Sequence, residues 1–214
     1  MSKKTYTYSD LELREDELHY LKSSDKPFTG KITGQFIGKY VNGLEEGPWK
    51  YYYEEEGPWK HNYQKDGQLE QKGKWHRGLQ EGIWTQYHEN GKIATKGKYK
   101  NGRMNGIWEV YNKEGVLLSR GKYKNALKDG LWKTYRSNGK LFIKCHHKDG
   151  SENGLYEIYG ESGFLNSKGV YRMGRREGLW VDYIDTYNYN GEIVLNKDMS
   201  GFYENGSKVK DYKK

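Results

Sequence analysis

Apolar and polar residues alternate along most of this chain in short runs, and each run ends at a glycine-containing turn signal. In KGKYKNG, residues 96–102, Lys96, Lys98 and Lys100 fall on one face of a strand, with Gly97 and Tyr99 on the other. In the next run Ile107 and Tyr111 alternate against Trp108 and Val110, so aromatic residues occur on both faces. Period-two alternation over runs this short reads as β-strand. The Asn-Gly and Glu-Gly pairs between runs supply residues that accept positive φ, as tight hairpin turns require. The pattern therefore predicts β-hairpins in series.

The hairpins repeat every 24 residues. Gly-x-Trp recurs at Trp84, Trp108, Trp132 and Trp180, with Tyr156 in the remaining place. A tyrosine follows each at Tyr87, Tyr111, Tyr135, Tyr159 and Tyr183. Gly-Lys-aromatic keeps the same step from Gly73 to Gly97 to Gly121, degrades to Cys145-His146-His147, and returns as Gly169-Val170-Tyr171. A fixed period of this length marks a repeat architecture in which each unit packs only on its neighbours. The fold class expected is all-β: an elongated, single-layer antiparallel β-meander of tandem hairpins. Trp84, Tyr87, Trp108, Tyr111, Trp132, Tyr135, Trp180 and Tyr183 are expected to form its structural aromatic ladder.

Three segments are expected in that frame: an N-terminal cap over 1–37, repeats over 38–199 and a closing strand and tail over 200–214. Ser9-Asp10-Leu11-Glu12 has capping-box form, which suggests a short helical turn at 9–18. Irregularities are expected at 45–63, 145–154 and 184–191. In the first, EEGPWK occurs twice ten residues apart, read as two adjacent strands with a half-unit missing between them.

Gly-x-Trp-x-x-Tyr-x-x-x-Gly at this spacing resembles MORN-type repeats, and more specifically the 24-residue variant of bacterial YwqK-family antitoxins. The resemblance covers roughly residues 10–210. It includes Leu-x-x-Arg and Pro-Phe-Thr-Gly within 11–34 and the closing SGFYENGSKVKD at 200–211. It implies an extended hairpin-repeat fold, a protein-binding role and no chemistry.

Composition supports strands built on aromatics. Only 34% of residues are hydrophobic and 15% are aromatic, with 28 Gly but 3 Pro, so aliphatic material is too scarce for a thick core. Cys145 is the single cysteine, which rules out an internal disulfide. No apolar leader or membrane-length segment occurs, and a cytoplasmic protein is expected. The net charge of +8 is concentrated in the middle: residues 91–150 carry +11, against −2 before and −1 after.

Candidate chemistry is sparse. Cys145 and His147 share a strand face, but a zinc site needs three or four ligands. They are expected instead to fill ladder-glycine and ladder-tyrosine slots. No Gly-x-Ser-x-Gly elbow or Walker A motif is present. The acidic run Glu54-Glu55-Glu56 reads as a solvated turn. No catalytic residue, cofactor or metal is expected. The feature that bears on function is a basic face, Lys96, Lys98, Lys100, Arg120, Lys122, Lys124, Lys144 and Lys148, expected to bind a partner or anion. A protein partner, a toxin among the options, is expected first. Anionic lipid comes second, on charge alone and without an exposed apolar wedge. Nucleic acid ranks last, and no transmembrane segment is expected.

Overall fold

The computed structural model describes residues 5–53, 67–187, 193–196 and 199–212. They form two compact units, Met1–Met104 with Lys113–Gly115, and Asn105–Asn112 with Val116–Lys214. The described elements are strands, apart from one 3₁₀ turn.

The first unit opens with that turn, Tyr8–Asp10, and a small hairpin of β1 (Leu11–Leu13) and β2 (His19–Leu21). The meander follows as β3 (Gly30–Ile32), β4 (Phe36–Val41), β5 (Leu44–Tyr52), β6 (Leu69–His76), β7 (Leu79–Tyr87) and β8 (Ile93–Lys100). Each of these strands pairs antiparallel with the next along the chain. Leu11 and Phe28 pack on Ile32, Tyr40 and Trp49, so the N-terminal end has a small core of its own. The helical turn expected at 9–18 is corrected. The Asp10 carboxylate accepts from the Thr7 N–H at 2.8 Å and closes one turn, after which Leu11 is buried in a strand.

The second unit contains β9 (Arg103–Tyr111), β10 (Leu117–Lys124), β11 (Leu127–Tyr135), β12 (Leu141–Lys148), β13 (Ser151–Tyr159), β14 (Leu165–Arg172) and β15 (Arg175–Tyr187). It closes with β16 (Ile193–Leu195), β17 (Gly201–Glu204) and β18 (Ser207–Asp211). From β9 to β15 successive strands again pair antiparallel. β15 is long enough to pair with both β16 and β17, and the irregularity expected at 184–191 lies partly outside the described residues.

Every repeat turns in the same way. Asn101 and Gly102 have φ of 50° and 73°, as the I′ hairpin turn demands. Both φ values are again positive at Arg77-Gly78, Asn125-Ala126, Asp149-Gly150 and Met173-Gly174, of which all but Asp149-Gly150 have a poorer turn residue in one place. Successive turns are tied together, since the Gly102 N–H donates to the Gln80 carbonyl and the Asn101 N–H to Glu81 Oε2, both at 3.0 Å.

Each hairpin also carries one bulge. Lys122 faces Asp129 and Arg120 faces Lys133, so two residues on β10 span four on β11. Gly130, at φ 76°, makes that detour. The bulge places the Trp132 ring directly over Gly121, where a Cβ would lie 2.1 Å from ring atom Cδ2. Gly38, Gly73 and Gly169 stand in the same relation to Trp49, Trp84 and Trp180. The indole N–H then donates to the strand below: Trp132 Nε1 to the Lys122 carbonyl at 3.0 Å, and Trp180 Nε1 to the Val170 carbonyl at 3.0 Å. Sequence spacing and tertiary packing thus have one cause. The tryptophan needs a glycine eleven positions earlier.

Only the first copy of the doubled EEGPWK lies among the described residues. β5, which contains the first copy, pairs directly with β6, and Trp49 faces Gly73. In the regular repeat Trp84 faces Gly97. The second copy, and with it the reading of two adjacent strands, lies within 54–66, outside the described residues.

Candidate functional site

In each unit the two faces of the sheet differ in chemistry, and the bulged hairpin decides what goes where. One face carries the rings. In the first unit Trp84 meets Trp75 edge-on at 5.4 Å and Tyr99 at 6.2 Å. In the second, Trp108 meets Tyr123 at 6.0 Å, Tyr123 meets Trp132 at 4.9 Å, and Tyr171 meets Trp180 at 5.1 Å. Edge-to-face pairs of this kind add to the area they bury. Trp84, Trp132 and Trp180 are buried. The partners of the tryptophans are thus the aromatics of the Gly-Lys-aromatic strands. Tyr111 and Tyr159 lie on the opposite face, where their hydroxyls donate to Glu109 and Glu157 at 3.1 Å. Tyr87 lies under the Lys72 ammonium, and Tyr135 and Tyr183 follow Trp132 and Trp180 by the same three residues.

Cys145 and His147 occupy the ring face. Cys145 takes the glycine slot, and the ring eleven residues on is Tyr156 rather than tryptophan. His147 takes the tyrosine slot, with its ring 6.2 Å from that of Trp132. Its Nδ1 lies 3.7 Å from Cys145 Sγ and its Nε2 3.9 Å from Glu152 Oε1. Thiol and carboxylate sit at opposite edges of the imidazole and do not converge on one point. Burial pushes the thiol up to about 11 and the imidazole below its ordinary value. That disfavours the thiolate a nucleophile needs. The segment 145–154, expected to be irregular, keeps the regular bulge and the regular turn.

The opposite face carries the charges. Lys96, Lys98 and Lys100 are exposed on β8, where Lys96 faces Thr85 and Lys98 faces Ile83. Arg120, Lys122 and Lys124 are exposed on β10, and Lys144 and Lys148 stand on the equivalent side of β12. Arg120 and Lys144 are partly neutralised. Arg120 Nε lies 3.0 Å from Glu109 Oε1, and Lys144 Nζ lies 2.8 Å from Glu157 Oε2. The second pair holds the Glu157 carboxyl below and the Lys144 ammonium above their ordinary ranges, chiefly through the hydrogen bond between them. Lys133 and Lys168 extend the row, because Lys133 faces both Arg120 and Lys144, and Lys168 faces Glu157.

The charged face also holds apolar residues that the sequence reading passed over. The variable position of Gly-x-Trp is Ile83, Ile107, Leu131, Leu155 or Leu179, each between 39% and 52% exposed. Lysines and aliphatics share this face, so the expectation of charge without exposed apolar surface is corrected. The signal was present as an isoleucine or leucine at a constant place beside each tryptophan or its substitute. Its exposure follows from the bulge, which turns the tryptophan to one side and its neighbour to the other.

The family model of the MORN repeat variant matches three tandem repeats, residues 80–101, 104–125 and 128–149. These repeats run from turn to turn and contain all eight basic residues named above. Among curated proteins, none matches the chain. MORN repeats are in general non-catalytic modules that bind proteins or membranes. Among the described residues, no helix is long and apolar enough to cross a membrane.

Proposed function

We propose that this chain is a non-catalytic, cytoplasmic partner-binding protein of antitoxin or immunity type, which covers a functional surface of another protein. The observation that carries the reading is the separation of the two faces: rings satisfy one another on one side, while basic residues stand in register on the other. The rigid hairpin ladder supports occlusion, because a pre-formed surface loses little ordering entropy when it binds. Affinity purification of the full chain from its native cells tests it. A stoichiometric protein partner is expected, lost when Lys98, Lys122 and Lys148 are reversed to glutamate. Recovery of the same proteins by the reversed variant overturns the reading.

A second reading has its own observation. Exposed aliphatics beside lysines, such as Ile83 facing Lys98 and Ile107 facing Lys122, suit an anionic lipid surface. Salt-sensitive binding to phosphatidylserine vesicles, absent with phosphatidylcholine vesicles, would support a scaffold held at a membrane.

A further inference from the structure

In the second unit the apolar residues of the charged face line up across the strands. Ile107 faces Lys122, Leu131 faces His146, Leu155 faces Val170 and Leu179 faces Phe202. The row therefore grows more apolar along the chain, as the opposing residue passes from lysine through histidine to valine and phenylalanine. Leu155, Val170, Leu179 and Phe202 are each 40–44% exposed and pair two by two, Leu155 with Val170 and Leu179 with Phe202, while Val170 faces Glu177 on β15. Exposed apolar pairs gathered on one face of a sheet offer an interaction surface.

Long basic side chains border this surface on both sides. Arg120, Lys133, Lys144 and Lys168 flank it toward the strand ends that carry the tyrosines, with Glu157 between Lys144 and Lys168 in the same row. Lys124, Lys148, Arg172 and Arg175 are exposed at the turn ends on the other side. Lysine and arginine reach further from the backbone than leucine or valine. The surface is therefore a trough with an apolar floor and rims that are cationic except at Glu157.

We infer that this trough, floored by Leu131, Leu155, Val170, Leu179 and Phe202, docks an acidic polypeptide segment that presents a ridge of apolar side chains between carboxylates. The inference rests on the partner-binding reading above and names the chemistry of the partner. Charge complementarity selects an acidic segment over a basic one, and the apolar floor selects a ridge over a purely charged surface. A second copy of this chain would bring the same cationic rims against these and be repelled. A flat bilayer surface would meet the raised cationic heads first and leave the floor uncovered. A nucleic-acid backbone would satisfy the rims but place phosphates over aliphatic groups.

Photo-crosslinking in native cells tests this. p-Benzoylphenylalanine is placed at position 155, on the trough floor, and separately at position 173, an exposed turn. Crosslinked peptides are sequenced by mass spectrometry. The expected product at 155 is a segment of net negative charge with interspersed apolar residues, at least about tenfold more abundant than at 173. Leu131→Thr with Leu179→Thr, which keeps strand-forming residues, should cut that yield about tenfold while leaving the thermal midpoint within a few degrees. Lys133→Glu with Lys168→Glu should cut it as strongly at low salt and less at high salt. Crosslinks at 155 to lipid, to nucleic acid, to a second copy or to a neutral or basic segment overturn the inference. A protein captured at 173 and not at 155 overturns the trough while sparing the partner-binding reading. Capture of nothing at either position overturns both.

Discussion

At the scale of the residue, the glycine beneath each tryptophan is the most constrained position. Gly121→Ala would drive a methyl group into the Trp132 ring, and the expected cost is roughly 1–3 kcal/mol in urea denaturation. Cys145 breaks that rule, and its ring partner is changed with it, to Tyr156. Tyr156→Trp alone should therefore destabilise, Cys145→Gly alone should leave a void, and the two together should be better than additive in a double-mutant cycle. Ala126 is strained in the opposite sense, holding φ 68° where its counterparts are glycine. Ala126→Gly should raise stability by about 0.5–1 kcal/mol. His147 gives the chain a pH dependence. Burial and the nearby Lys128 and His146 lower its affinity for a proton and Glu152 partly restores it, so the folded state binds that proton less readily than the unfolded state. Stability should be fully present above the ordinary histidine range and fall as pH drops through it. His147→Tyr, which restores the repeat's usual residue, should flatten that part of the thermal-midpoint profile.

At the scale of the element, the regular hairpin joins an I′-type turn to a bulge two residues wide, and the sequence shows these unequally. Turns were legible because Asn-Gly at 101–102 has few other uses. The strands were legible because lysines alternate with glycine and tyrosine. The bulge was not, because Gly130 and Leu131 continue the period-two pattern while the backbone takes an extra pair of residues there. Its consequence, an exposed aliphatic beside each tryptophan or its substitute, was hidden for the same reason. The segment after Ser9 misled in another way. Its acidic residues fit a helical cap, but Leu11 has a buried slot against Phe28 and Ile32, and tertiary packing overrode local preference. The ties between turns make a further prediction. Glu81→Ala removes the acceptor for the Asn101 N–H and should cost about 1 kcal/mol, with faster amide exchange at Asn101.

At the scale of the whole molecule, the charge is concentrated where the matched repeats lie, and residues 91–150 carry the +11 that gives the chain its net sign. Binding of an acidic partner should therefore weaken steeply with salt, and isothermal titration at two ionic strengths would read the slope. The eight basic residues were identifiable from spacing alone. That Arg120 and Lys144 are shared with Glu109 and Glu157 was not, since those carboxylates lie eleven residues before and thirteen after in sequence and meet the bases only across paired strands.

The tryptophan and its glycine also have a consequence for length. Each repeat supplies a ring for the strand before it, and its own glycine lies under the ring that follows. A block of 24 residues copied or deleted in register brings matching halves of that joint at both ends. The trough could therefore be lengthened or shortened in steps of about 10 Å, two strand spacings, without redesigning any contact. Copy number, rather than side-chain substitution, would then set how long a ridge the surface can grip.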